Sequence, residues 1–196
     1  MQICIISGSS RAESQSLRVS QALAGIVKNQ GCKAVVVDLF ENNITSVLND
    51  VWSNSDGHGD NVKEISGIVE NSNGFIIVTP EWAGMASPAV KAMFTVVSGF
   101  AHKPAMIVSV SASRGGSYPV AELRMSSYKN SKIVYIPDHL IVRNVETAFT
   151  DDGNKNDEYI SKRAEFSIKA LLKYSESLKN LSEDPEMQNE EYIFGM

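Results

Sequence analysis

The sequence predicts a doubly wound α/β sandwich, and three observations carry that prediction. Short apolar runs alternate along the chain with segments of helical periodicity. The runs show almost no polar alternation, as parallel strands covered on both faces do. The loops with the most unusual chemistry follow the first, third and fourth runs. In sheets of this kind ligands bind beyond the carboxyl ends of the strands.

The first strand, residues 3–6, runs straight into Ser7-Gly8-Ser9-Ser10-Arg11-Ala12-Glu13-Ser14-Gln15-Ser16. A helix over 16–29 follows, with Leu17, Leu23, Ala24 and Val27 on one face and Gln30-Gly31 as its stop. Residues 34–37 form the second strand. Residues 39–60 are irregular and end in loop chemistry that includes His58, read as an exposed loop histidine. A helix over 62–70 keeps Val62, Ile65 and Val69 in phase. Residues 74–78 are a central third strand, and 79–87 a second special loop. Ser87-Pro88 opens the next helix as cap and first residue. Its stripe of Ala89, Val90, Met93, Phe94 and Val97 packs on the sheet and is broad enough to leave apolar surface for a subunit partner. The fourth strand covers 105–110, and Ser111-Ala112-Ser113-Arg114-Gly115-Gly116-Ser117 forms the third loop. A helix over 119–128, a fifth strand over 132–136 and a long helix over 157–181 complete the pattern. In that last helix Ile160, Ala164, Leu171, Tyr174, Leu178 and Leu181 lie near one face.

Right-handed crossovers restrict the arrangement to few topologies. The special loops favour a flavodoxin-like three-layer sandwich, a five-stranded parallel sheet of order 2-1-3-4-5 with its ligand between the first and third strands. One domain over 1–181 and an acidic tail over 182–196 are expected. Tyr192-Ile193-Phe194 in the tail is either frayed or docked on a neighbouring subunit.

Composition narrows the function. A net charge of −5 without a basic run argues against nucleic-acid binding. No stretch is long and apolar enough for a membrane span, and no signal peptide is evident. Cys4 and Cys32 form no CxxC pair or zinc spacing, so a reducing cytoplasm is the expected location.

The first loop lacks the glycines and lysine of a P-loop and the three glycines of a dinucleotide fingerprint. Its hydroxyls and Arg11 suit a terminal monophosphate, with a plain serine helix cap as the alternative. In the second loop Thr79-Pro80-Glu81-Trp82-Ala83-Gly84-Met85 places a large flat ring beyond a central strand. Trp82 there either meets a planar ligand or caps the core. Gly115-Gly116 in the third loop bares backbone N–H groups that can donate to such a ligand. Together the three loops describe a flavin mononucleotide site. Asp138-His139 and His102 read as structural. A phosphoacceptor receiver site is set aside, because it needs clustered acids where Ser7-Gly8-Ser9 stands.

Gly8 to Ser16, Thr79-Pro80-Glu81-Trp82, Ser87-Pro88 with Lys91, and Gly115-Gly116 resemble the NADPH-dependent FMN reductase family, whose relatives include chromate, quinone and azo reductases. The resemblance covers residues 1–178. It implies that Ser9, Arg11, Ser14 and Ser16 hold the FMN phosphate, with backbone contacts from Gln15 and Leu17. It implies further that Pro80, Glu81, Trp82 and Ala83 flank the flavin ring and ribityl chain, and that Ser111, Gly115 and Gly116 border the other edge. The implied reaction passes hydride from NAD(P)H through FMN to a small acceptor: a quinone, a flavin, an azo compound or a metal oxyanion. No side chain need act as acid or base. Family members are commonly homodimers or homotetramers with FMN near a subunit interface. The family usually has Tyr-Asn where Trp82-Ala83 stands, and Lys-Asn-Ala where Lys91-Ala92-Met93 stands; residues 49–60 also differ from its short Leu-Pro link. A non-enzymatic FMN-binding electron carrier or redox sensor is the competing expectation.

Overall fold

A computed structural model describes residues 1–49, 59–150, 155–188 and 190–192. In chain order its elements are β1 (Gln2–Ser7), α1 (Gln15–Asn29), β2 (Lys33–Asp38), α2 (Asp60–Glu70), β3 (Gly74–Trp82), β4 (Met85–Ala86), α3 (Pro88–Val96), β5 (Pro104–Val110), α4 (Ser117–Met125), α5 (Tyr128–Ser131), β6 (Val134–Val142), α6 (Lys155–Ser177) and α7 (Lys179–Ser182). The main strands run β2-β1-β3-β5-β6, all parallel, with the two-residue β4 paired antiparallel to β3. Without β4 this is the expected 2-1-3-4-5 order. His58 and Ile193-Phe194 lie outside the described residues.

Successive residues of each strand point to opposite faces, so the sheet feeds two cores. Ile3 and Ile5 of β1 join Ile76 and Val78 of β3 beneath α1 and α6. Cys4 and Ile6 join Phe75 and Ile77 beneath α2, α3 and α4. Burial pushes the Cys4 thiol up to about 12, which makes it an inert core residue.

Several expectations change in detail. The buried stripe of α1 is Ser16, Val19, Ser20, Leu23, Ala24 and Val27. Leu17 falls out of that phase and is only half-buried. β2 is an edge strand, so of its apolar run only Val37 is fully buried. Most of the broad stripe of α3 goes into the core: Ala89, Val90, Ala92, Met93 and Val96 are buried, while Phe94 packs on Phe100 at 5.3 Å and stays partly exposed.

The fifth main strand runs six residues past 136, so Asp138 and His139 lie within β6 rather than after it. The register slips there, with Ala105 opposite Tyr135 but Ile107 opposite His139, so β6 carries extra residues around Pro137. Arg124 donates to the Ile136 and Pro137 carbonyls, and Asp138 pairs with Arg163 at 2.8 Å. Asp138 is therefore structural, and the His139 ring lies against the Pro137 carbonyl at 3.4 Å.

The last long helix ends at Ser177, and α7 follows. Its buried face is Ala164, Ser167, Ile168, Leu171 and Ser175, while Tyr174 and Leu181 are exposed. The small serines let α6 approach the sheet closely, and a Cβ on Gly74 would strike Ser175.

Candidate functional site

Three loops meet at the carboxyl edge of the sheet, around the switch between β1 and β3. The first leaves β1 under tight control. Gly8 donates its N–H to the Val78 carbonyl at 2.8 Å, and the Ser87 hydroxyl donates to the Gly8 carbonyl. Ser87 also caps α3 by accepting the Val90 N–H, and its own N–H is held by Thr79 Oγ1 at 3.1 Å. This set of bonds joins the first loop to the second.

Ser9 is buried and accepts the Arg11 N–H at 3.1 Å, which curls the loop and leaves the Arg11 side chain exposed. Ser14 caps α1 by accepting the Leu17 N–H at 3.1 Å. The cap uses the donor assigned to Leu17. The first-turn N–H groups of Gln15 and Ser16 have no partner among the described residues. The Gln15 side chain accepts from Arg18 Nε at 2.7 Å. Arg18 also donates to the Ala148 and Val145 carbonyls, which pins the segment after β6 to the start of α1. What remains open is two free N–H groups at a positive helix end, the buried Ser16 and the unpartnered Arg11 guanidinium. That donor set fits a phosphate dianion.

The second loop is a β-hairpin. Trp82 pairs with Met85 and Glu81 with Ala86, and the two residues between them, Ala83 and Gly84, have φ of 49° and 76°. Positive φ at both central positions is what an I′ hairpin turn requires. Gly84 adopts it freely, whereas Ala83 pays the αL penalty of an L side chain. The family's asparagine at this position tolerates that conformation better, so the departure at Ala83 falls on a strained residue. Replacing Ala83 with glycine is expected to stabilise the chain by roughly 0.5–1 kcal/mol, the relief of strain less the entropy of glycine. Urea unfolding of the two proteins measures it.

Glu122 of α4 steadies this hairpin, accepting the Ala86 N–H at 2.5 Å and pairing with Lys91 at 2.7 Å. Lys91, part of the family-like motif, thus serves the hairpin from α3. Burial pushes the Glu122 carboxyl up, but the Lys91 hydrogen bond, the Ala86 N–H and the Lys91 charge outweigh it and hold the carboxyl below the ordinary glutamate range. The stability this supplies is complete above that range and lost as pH falls through the lowered value. Acid titration of Trp fluorescence is expected to show the hairpin loosening below about pH 4.5 in the native chain. The Glu122→Gln variant is expected to lack that step.

The third loop is fastened on every side. Ser111 donates its N–H to the Val142 carbonyl at 2.9 Å, and its hydroxyl accepts from Ser113 at 3.3 Å. Asn144 and Val145 donate to the Ser113 and Ser111 carbonyls. Arg143, at the end of β6, donates to the Arg114 and Gly115 carbonyls at 2.8 and 3.0 Å. From the hairpin, the Glu81 carboxylate accepts the Gly116 N–H. A Cβ on Gly115 would strike that carboxylate. Gly116 caps α4 with φ 102°. Glu81 is therefore a strut between the two loops, and the Gly116 N–H is engaged within the chain. Trp82 is half-buried, Pro80 still lies in the sheet opposite Val110, and Ala83 stands exposed at the turn.

The structure brings Ser9, Arg11, Ser14, Gln15, Ser16 and Leu17 together at one loop and joins Glu81 to Gly115-Gly116. Sequence reasoning missed Arg18, Arg143 and Glu122, each of which bonds to backbone groups distant in the sequence as well as to side chains. A cavity of about 1110 Å³ lies at the opposite, amino-terminal edge of the sheet and does not adjoin these loops.

The model of the NADPH-dependent FMN reductase family matches residues 1–147. The chain belongs to that family. Membership makes it a flavin-dependent NAD(P)H oxidoreductase with FMN as cofactor and a nicotinamide nucleotide as co-substrate. A search of curated proteins finds no match. Among solved structures, the chain is similar to the flavoenzyme NAD(P)H:(acceptor) oxidoreductase FerB from Paracoccus denitrificans, with a TM-score of 0.71 and 18% identity over 90% of this chain and 97% of that one. An oxidoreductase from Corynebacterium diphtheriae gives a TM-score of 0.68 and 16% identity over 90% and 95%. An NAD(P)H:quinone oxidoreductase from Methanothermobacter marburgensis gives 0.61 and 14% over 85% and 96%. At these identities the likeness establishes the fold. No helix among the described residues is long and apolar enough to cross a membrane.

Proposed function

We propose that this FMN reductase hands electrons to a flat organic acceptor, a quinone, a free flavin or an azo compound, in preference to a metal oxyanion. The observation that carries this is the rim of the hairpin and α4, where Trp82 pairs with Met85, the Tyr118 ring lies beside Gly84 of the turn, and Met85 and Tyr118 are 47% and 69% exposed. Such a rim favours a flat apolar partner over a small oxyanion. Bound FMN supplies the hydride and electron chemistry. Ser9, Arg11, Ser14, Ser16 and the α1 N-terminus would hold its phosphate. Pro80 to Ala83 and Ser111, Gly115 and Gly116 would flank the ring. The Glu81 strut and the Arg143 clamp keep those walls at a fixed spacing, and fixed walls orient reactants at little entropic cost.

Residues 1–181 act as one domain on this reading, working in the cytoplasm. The expected homodimer or homotetramer would form through the groove of about 610 Å³ between α3 and α4–α5, beside the exposed Met125 and Tyr128. Sedimentation of the FMN-loaded protein tests that assembly. The function is tested by anaerobic NADPH and NADH oxidation with a soluble quinone, free FMN, an azo dye and chromate. Turnover above the free-FMN background is expected, higher with the three organic acceptors than with chromate. Turnover with chromate alone would overturn the acceptor class, and no turnover with any acceptor would overturn the reading altogether.

A further inference from the structure

We propose that Ser109 is the receiving group of a hydrogen-bond exchange under the third loop: when a flavin carbonyl takes the Gly116 N–H, the Glu81 carboxylate passes to the Ser109 hydroxyl. The inference rests on the reading that sets Gly115 and Gly116 at the edge of the flavin ring, and it adds what the chain does to make that contact. Two observations carry it. The Gly116 N–H is already engaged by Glu81. Ser109 is fully buried, and its hydroxyl has no partner among the described residues. A buried hydroxyl without a partner is costly and rare in native chains. Of the four such atoms among the described residues, Ser109 Oγ is the one that lies against Gly116.

The two groups meet at the same glycine. Glu81 holds the Gly116 amide, and a Cβ on Gly116 would lie 3.4 Å from Ser109 Oγ. Thr79 of β3 stands opposite Ser109 of β5, and Glu81, two residues further on, points to the same face as Thr79. Neighbouring strands lie about 4.8 Å apart, so the long Glu81 side chain spans the diagonal to Ser109. The neighbouring hydroxyls on this face are in use. Thr79 Oγ1 donates to the Pro80 carbonyl and accepts the Ser87 N–H, and Ser111 Oγ accepts the Ser113 N–H. Ser109 keeps both its proton and its lone pairs unused. A half-buried carboxylate that gives up one donor needs another. Passing to Ser109 supplies it and frees Gly116 for the flavin. It also leaves the hairpin tied to β5 at the base of the third loop, so the walls keep their spacing. No proton changes owner; one hydrogen bond to the carboxylate replaces another.

Ser109→Ala is therefore expected to leave the urea midpoint of the flavin-free protein unchanged or raised, because the hydroxyl it removes bonds to nothing there. It is expected to weaken flavin binding about tenfold, the worth of one hydrogen bond to a charged group. FMN and riboflavin should lose affinity by the same factor, since the exchange lies at the ring and not at the phosphate. In a Glu81→Gln background a neutral amide with its own donor replaces the carboxylate. There Ser109→Ala should change flavin affinity by less than about twofold, the coupling having been removed. Flavin fluorescence quenching gives the affinities and urea unfolding the stabilities. Unchanged flavin affinity in Ser109→Ala overturns the exchange. So does an equal loss in both backgrounds, which puts Ser109 against the flavin itself, or a loss confined to FMN, which moves the effect to the phosphate. A lowered urea midpoint in the flavin-free variant also overturns it, because the hydroxyl is then a structural one. Failure of the native chain to bind either flavin is a different result: it defeats the cofactor site on which the inference rests.

Discussion

Arg11→Ala is expected to weaken FMN binding by roughly 10- to 100-fold and to leave riboflavin binding unchanged. The estimate follows from the loss of charge-assisted hydrogen bonds worth about 1.5–3 kcal/mol, at about 1.4 kcal/mol per tenfold. The two flavins differ only in the phosphate, so the comparison isolates the group that the α1 N-terminus is proposed to hold. Arg11 is exposed, so salt screens part of its contribution, and the ratio is expected to shrink as ionic strength rises. Arg11→Lys keeps the charge but loses the planar fork and should fall between the two. Fluorescence quenching on titration with each flavin reads the result. An equal loss for FMN and riboflavin would place Arg11 against the ring instead, and no loss for either would show that Arg11 takes no part in holding the phosphate.

The fold was legible because its signals are local. Alternating apolar runs and helix phases fix five strands, and crossover handedness with loop chemistry fixes their order. The turn and cap of the first loop were legible for the same reason, since Ser9 and Ser14 bond to groups within three residues of themselves. Errors arose where a tertiary partner decides the outcome. Ala34 to Val37 read as a fully covered strand because the sequence does not say which strand lies at an edge. The partial cover of Phe94 on the α3 stripe was not legible because Phe100, which packs on it, lies in the following loop. Gly116 read as a free donor because its acceptor, Glu81, is 35 residues away. Arg18 and Arg143 were invisible as site residues for a related reason. Each donates to backbone carbonyls, which carry no mark in a sequence.

Those long-range bonds give the site one mechanical property. Ser87 ties the first loop to α3, Glu122 ties the hairpin to α4, and Glu81 ties the hairpin to the third loop. No wall moves alone. A change that displaces one loop therefore reaches the other two, including a change with no contact to a ligand.

Gly8→Ala is the sharpest case, and it is expected to cost about 2–4 kcal/mol of stability, from overpacking together with lost hydrogen bonds. The added Cβ would sit far inside contact distance of Val90 Cγ2 and 2.5 Å from the Val78 carbonyl oxygen. Val90 is fully buried and β-branched, so it has little freedom to turn away. The Val78 oxygen belongs to the central strand and already accepts the Gly8 N–H. The end of β1 must move instead, which strains both that bond and the one from Ser87 to the Gly8 carbonyl. FMN affinity should fall with stability, because Ser9 and Arg11 follow Gly8 directly. Val90→Ala in the same chain separates the two clashes. It removes the methyl and leaves the carbonyl, so it should restore only part of the stability and little of the FMN affinity. Full restoration would mean that the Val90 side chain alone keeps position 8 a glycine. Partial restoration means that the requirement comes from the backbone of β3, and that the distance between β1 and β3 is what sets the first loop in place.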